Sequence, residues 1–147
     1  MAQITREIDV RATPETVFAL LTDLDRLPAW GTIVVATRDV SELPLTLGCT
    51  FRQTIRVLGQ EFESGWRVTE LELGRTIAYE ASAPGGGSLT MRQTVVPAGR
   101  GSRVRFEIDY VLPGGWLGEL LDRAVVERQN EQEADRSLRN LKELLGG

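Results

Sequence analysis

The sequence predicts a single α+β domain, residues 1–147, in which seven antiparallel strands form one sheet and a long helix follows them. Three observations carry this prediction. An alternating segment, Ile4–Val10, runs into a capped short helix. Alternating strand-like segments dominate the chain from Thr32 to Leu112. The segment from Trp116 to Leu145 then repeats apolar residues at helical spacing before Gly146.

The first helix has a clear start signal. Thr13 is a good N-cap because its hydroxyl can accept a hydrogen bond from an orphan backbone N–H, and Pro14 suits the first helical position. Four apolar residues then mark the buried side of a helix of about two to three turns: Val17, Phe18, Leu20 and Leu21. A second short helical segment follows, and Pro28 is expected to end helical structure near an extended Leu27.

Six further strands are predicted, with Pro and Gly residues in the connections between them. Their bounds are Thr32–Val40, Thr50–Val57, Gln60–Glu70, Thr76–Ala83, Leu89–Val96 and Arg103–Leu112. A half-buried antiparallel sheet requires one apolar face and one face of paired charges. The strand registers that meet this requirement predict three cross-strand pairs: Val95 with Val104, Ile55 with Phe62, and Trp66 with Tyr79.

These registers place three polar residues, Gln53, Ser64 and Gln93, on the mostly apolar inner face. Burying one unsatisfied polar group costs about 1–3 kcal/mol. A mostly apolar pocket with a few polar groups is typical of a small-molecule site. The alternative is a closed core in which these residues satisfy one another or an ordered water.

The terminal helix has an apolar stripe at each end and a fully polar segment, Glu127–Glu133, between them. Two interpretations remain open for that segment. It is either a solvated surface, or Arg128, Glu131 or Gln132 faces an internal space.

Composition excludes several classes of function. The net charge of −4 and the absence of basic runs argue against nucleic acid or an anionic membrane as a main partner. The chain has no histidine and one cysteine, Cys49, so neither a zinc site nor Ser-His-Asp chemistry is expected. We expect a cytoplasmic protein with no cofactor, no bound metal, no signal peptide and no membrane span.

Three segments carry a resemblance to a known family: Ala12–Trp30, Gly101–Tyr110 and Arg136–Leu145. The chain resembles the START-like (SRPBCC) superfamily, and within it the polyketide cyclase/dehydrase and lipid-transport group. The resemblance implies the helix-grip fold, a seven-stranded curved antiparallel sheet wrapped around a long C-terminal helix. It also implies a ligand cavity between the sheet and that helix.

The resulting hypothesis is that the protein binds or transports a hydrophobic or aromatic small molecule, such as a lipid or polyketide, in this cavity. The loops Glu42–Gly48 and Pro113–Trp116 are candidates for its opening. The predicted ligand-binding residues come from the inner face and the helices: Trp30, Phe51, Gln53, Phe62, Ser64, Trp66, Tyr79, Met91, Gln93, Phe106, Tyr110, Leu121, Val125 and Arg128.

Two alternatives remain open. The first is a polyketide aromatase/cyclase or dehydratase that uses polar groups in the same cavity: Arg128, Tyr79, Tyr110 and Ser64. The second is a protein-partner module that docks through the apolar loop residues Leu43, Leu45 and Leu47. Neither the identity of the ligand nor the oligomeric state follows from the sequence.

Overall fold

The computed structural model describes residues 2–57, 59–111 and 123–147, and it has the predicted α+β architecture. Within these residues seven strands form one curved antiparallel sheet: β1 (Ala2–Val10), β2 (Val34–Arg38), β3 (Thr50–Val57), β4 (Gln60–Glu72), β5 (Thr76–Ala83), β6 (Gly87–Ala98) and β7 (Gly101–Val111). The strand order is β1-β7-β6-β5-β4-β3-β2. The helices are α1 (Pro14–Leu21), α2 (Leu27–Trp30) and α3 (Arg123–Leu144).

Helix α1 begins as the sequence predicts. The backbone N–H of Thr16 donates to the Thr13 hydroxyl, Pro14 is the first helical residue, and all four predicted apolar residues are buried. The expectation for Leu27 is wrong, because it has helical backbone angles (φ −52°, ψ −44°). Pro28 lies in the first turn of α2, where a missing N–H breaks no helical hydrogen bond, so it begins this helix instead of ending one.

Two of the three predicted registers are confirmed: Val95 pairs with Val104, and Ile55 pairs with Phe62. The third is wrong, since Trp66 lies opposite Ala81 and Tyr79 lies opposite Val68. Strand β4 runs to Glu72, so the turn to β5 comes later than predicted. An irregularity between Val68 and Glu70 then places one extra β4 residue between that turn and Trp66. The displacement at Trp66 is two residues, so Trp66 and Tyr79 still point to the inner face.

Helix α3 packs against the sheet through its C-terminal half. Ala134, Leu138 and Leu141 are buried as the second predicted stripe requires, whereas Leu144 is 41% exposed. The predicted start of this helix at Trp116 and the first stripe lie outside the described residues and side chains. Within the described ranges, no helix has both the length and the apolar character needed to cross a membrane.

An ion-pair cluster joins α3 to the edge strand β1. Arg6 Nε donates to Asp135 Oδ1 at 2.8 Å, and Arg6 Nη2 lies 3.5 Å from Glu131 Oε2. The two acids are one helical turn apart, so one guanidinium reaches both. This contact fixes which side of α3 faces the strand.

Candidate functional site

A cavity of about 180 Å³ lies in the interior. Residues from the inner face of the sheet, from α2 and from α3 line it, and most of their side chains are apolar or aromatic. An apolar cavity of about 150 Å³ is enough to hold benzene in another protein. The space therefore suits a small aromatic or hydrophobic molecule.

Eleven of the fourteen residues predicted for the site line this cavity: Trp30, Phe51, Gln53, Phe62, Ser64, Trp66, Tyr79, Met91, Gln93, Phe106 and Tyr110. Leu121 and the side chain of Val125 lie outside the part of the chain that the structure describes. The placement of Arg128 in the cavity is corrected, because its side chain is exposed and is not part of the lining.

The reason is the rotation of α3. Asn130, Glu133, Ala134 and Ser137 line the cavity, and Arg128 is two residues from Asn130, which corresponds to about 200° around the helix. Sequence reasoning missed the polar members of this set. Extending the apolar spacing of Ala134, Leu138 and Leu141 back by one turn reaches Asn130, and that signal would have found them.

An aromatic cluster forms one wall of the cavity. The rings of Phe51 and Trp66 stack with centroids 5.9 Å apart and an interplanar angle of 10°. Tyr79 meets both rings edge-on, at 5.9 Å from Phe51 and 5.8 Å from Trp66. Offset stacking and edge-to-face contact are the favoured arrangements of aromatic rings, so this wall is preformed.

A second aromatic pair lies at α2. The ring of Trp30 is 5.9 Å from that of Phe106 on β7. Two hydrogen bonds from α3 hold the backbone around this tryptophan: Asn140 Nδ2 donates to the Trp30 carbonyl at 3.3 Å, and the Thr32 N–H donates to Ser137 Oγ at 3.0 Å. The helix therefore positions Trp30 over the sheet.

Two of the three polar residues on the inner face are bonded to the protein. Ser64 Oγ donates to the main-chain oxygen of Gln53 at 2.7 Å and accepts from Trp66 Nε1 at 2.8 Å. Gln53 Nε2 donates to Thr37 Oγ1 at 3.0 Å. The alternative to a pocket is a closed core in which the polar residues hydrogen-bond one another. Ser64 and Gln53 fit that alternative in part, because protein atoms bond both side chains.

Gln93 differs from these two. Its Nε2 donates to the Met91 sulfur at 3.2 Å, and within the described part of the chain no donor reaches its Oε1. Trp30 Nε1 is likewise buried, with no acceptor among the described residues. Both residues line the cavity. Among the described lining residues, Trp30 therefore offers a donor and Gln93 an acceptor that no described protein atom uses.

The four groups considered for catalysis are placed differently. Tyr79 and Tyr110 line the cavity, the Ser64 hydroxyl is bonded on both sides, and Arg128 is outside. Burial raises the pKa of Tyr79 well above its usual value, with a smaller contribution from Cys49. The Tyr79 phenol thus stays neutral and is available as a hydrogen-bond donor.

The apolar loop Glu42–Gly48 does not line the cavity. Leu43 and Leu47 are 66% and 67% exposed, but Leu45 is buried, so the three leucines do not form one exposed patch. The second predicted opening, Pro113–Trp116, lies outside the described residues. Among the side chains that the structure describes, no cluster of three or more has the composition and spacing of a metal site.

The fold is shared with several solved structures. The Zhui aromatase/cyclase from a Streptomyces species aligns with a TM-score of 0.79 at 18% identity, over 99% of this chain and 93% of its own. A Thermus thermophilus protein aligns with a TM-score of 0.78 at 21% identity, over 97% and 95%. A START superfamily protein from Mycobacterium smegmatis aligns with a TM-score of 0.75 at 15% identity, over 98% and 97%.

At these identities the solved structures show the fold and not the activity. We found no significant match among curated protein sequences. The family model described as polyketide cyclase / dehydrase and lipid transport matches residues 1–146, nearly the full length. On the strength of that match, the chain belongs to the polyketide cyclase/dehydrase and lipid-transport family, and its helix-grip fold is the one that the START superfamily protein also has.

Proposed function

We propose that the protein binds a hydrophobic or aromatic small molecule, of the lipid or polyketide kind, in the interior cavity. The observation that carries this proposal is a cavity of about 180 Å³ lined by a preformed aromatic wall. Membership of a family described by polyketide cyclisation and lipid transport supports it. The cavity also fits the general pattern of small-molecule sites, which are mainly apolar with a few polar groups.

The energetics favour an occupant. Apolar side chains that face an unfilled space lack the van der Waals partners that close packing supplies. A ligand that fills the space recovers contact energy that the apo protein lacks, and its binding therefore raises the stability of the fold.

The first test is native mass spectrometry of the purified protein, followed by solvent extraction of any molecule that copurifies. We expect a discrete adduct whose mass gives the ligand class. If no adduct forms, even after incubation with pools of lipids and polyphenols, the proposal is contradicted and a partner-binding role gains weight.

A matched pair of variants locates the site. Ala134→Leu adds volume at the cavity lining, and Ala19→Leu adds the same volume at an exposed position of α1. We expect the first variant to abolish adduct formation while keeping the circular dichroism spectrum, and the second to bind normally. Equal binding by both variants would place the ligand elsewhere.

A polyketide aromatase/cyclase or dehydratase is the second candidate, and Tyr79 is the observation that favours it. Its neutral phenol lines the cavity and can donate a hydrogen bond to a carbonyl oxygen, which stabilises negative charge that develops there. Incubation with a linear poly-β-ketone and mass spectrometry for loss of water tests this activity. If Tyr79→Phe forms product as fast as the unaltered protein, the Tyr79 phenol does not contribute to it.

A cytoplasmic location belongs to this proposal. The single cysteine, Cys49, is buried and has no second cysteine in the chain with which to form a disulfide. The net charge of −4 supports a small apolar ligand over nucleic acid as the partner.

A further inference from the structure

We propose that the cavity selects ligands that carry a hydroxyl group, held between Trp30 Nε1 and Gln93 Oε1. This inference rests on the proposed function and names the chemistry of the ligand. A hydroxyl accepts one hydrogen bond and donates another, and the two protein atoms supply one donor and one acceptor.

Both protein groups are deeply buried and unused. Trp30 and Gln93 are each 3% exposed. The indole N–H of Trp30 has no acceptor, and the amide oxygen of Gln93 has no donor, among the residues that the structure describes. Buried polar atoms are nearly always hydrogen-bonded in folded proteins, so two such atoms in one cavity lining indicate a hydrogen-bonding partner in the cavity, either a water or the ligand hydroxyl that displaces it.

Phe106 brings the two groups to the same part of the cavity. Gln93 on β6 pairs directly across the sheet with Phe106 on β7. The Trp30 ring packs on the same phenylalanine at 5.9 Å. Directly opposed residues of an antiparallel pair have Cβ atoms only about 5 Å apart. The indole and the amide are therefore neighbours of one ring.

The orientation of the Gln93 amide follows from its other contact. Nε2 lies 3.2 Å from the Met91 sulfur. A thioether is a weak acceptor and has no proton to donate, so the amide nitrogen belongs on that side and the oxygen is left without a partner. The cavity consequently offers an acceptor at Gln93 and a donor at Trp30, and not two donors.

Other ligand chemistries use only part of this pair. A ketone or an ether accepts from Trp30 but leaves the Gln93 oxygen without a donor. A carboxylate does the same and brings a negative charge toward an amide oxygen. Among the described lining residues the one charged side chain is Glu133, which is also negative. A neutral alcohol or phenol is therefore preferred over a ketone, an ether or an acid.

Four probes of one ring system test the preference: 2-naphthol, 2-methoxynaphthalene, naphthalene and 2-naphthoate. Their dissociation constants are measured at pH 7 by calorimetry or tryptophan fluorescence. We expect 2-naphthol to bind about tenfold more tightly than the methyl ether or the hydrocarbon, and 2-naphthoate to bind most weakly. Equal affinity for naphthol and naphthalene overturns this inference and leaves the proposed function intact, because the cavity would then bind an apolar ring regardless of its hydroxyl group.

Failure of all four probes to bind contradicts the proposed function itself, and the hydroxyl preference with it.

Variants then assign the preference to its residues. Gln93→Leu should remove the advantage of naphthol over naphthalene, so that the dissociation constants of the two probes agree within about twofold. Trp30→Phe should reduce the same ratio. If both variants keep the tenfold ratio, the assignment of the hydroxyl preference to these two residues is overturned. The four probes are measured first on the wild-type protein, so a variant that fails to fold does not prevent the test.

Discussion

Ser64 and Trp66 are hydrogen-bonded along one strand: the indole Nε1 donates to the serine Oγ at 2.8 Å, two residues away on the same face of β4. The serine in turn donates to the main-chain oxygen of Gln53 on β3. The indole that stacks on Phe51 is thereby tied to the neighbouring strand. The orientation of the aromatic wall therefore depends on one hydroxyl.

Ser64→Ala should lower the free energy of unfolding by about 1–3 kcal/mol, because it leaves the buried Trp66 N–H without its acceptor. Urea denaturation followed by circular dichroism measures this loss. Ser88→Ala is the control at an exposed position and should change stability by less than about 0.5 kcal/mol. Equal stability of the two variants would show that the Ser64–Trp66 bond contributes nothing.

Ser137→Ala should weaken ligand binding through the position of Trp30. The serine accepts from the Thr32 N–H, which follows the tryptophan by two residues, so its loss removes one of the two hydrogen bonds that hold the backbone around Trp30 against α3. We expect a several-fold rise in the dissociation constant for an aromatic probe. Ser137→Thr, which keeps the hydroxyl, should bind more tightly than the alanine variant, and the reverse order would argue against this positioning role.

Tyr79 should make the fold less stable above pH 10. The ordinary pKa of tyrosine is about 10, and burial raises that of Tyr79. The unfolded chain therefore loses the phenolic proton first, the native state binds more protons, and stability falls as pH rises. Denaturation of Tyr79→Phe between pH 9 and pH 11 should show a smaller decline, and parallel curves for the two proteins would refute the linkage.

Asp9 should contribute to the stability of the fold near neutral pH and lose this contribution in acid. A hydrogen bond and the charge of Arg103 hold the pKa of this carboxyl below its ordinary value. Its contribution is present above the unfolded pKa and is lost as pH falls through the lower native value. Asp9→Asn should thus be less stable than the parent at pH 7 and should match it at the acid end of a urea series. Because the pair is exposed, added salt should reduce the difference at pH 7.

Much of the fold could be predicted because its signals are local. The Thr13 cap and the alternation in the two hairpins each depend on a few neighbouring residues, and those registers are confirmed. The β4 irregularity was missed, although the apolar phase shifts between Val68 and Leu71 at that point. This shift turns Leu71 toward the core, where it pairs with Ile77.

The part of the site that lies on the strands could be predicted from the sequence. Strand alternation determines which residues face inward, so the aromatic lining follows from the registers. The phase of α3 does not follow, because the segment from Glu127 to Glu133 has no apolar residue to mark a face, and Arg128 was assigned to the wrong side. The unpartnered atoms of Trp30 and Gln93 depend on distances between elements far apart in sequence, which no local pattern encodes.

The pairing of β1 with β7, together with the Arg6 contacts to α3, has a consequence for biosynthesis. Strand β1 leaves the ribosome well before β7 and α3, so it finds its hydrogen-bonding partner and its ion-pair partners only after those later elements have been translated. Closing such long loops is entropically costly, and folds with many non-local pairings form slowly. We therefore expect β1 to join the sheet late, so that its apolar residues are accessible to chaperones until α3 has been synthesised.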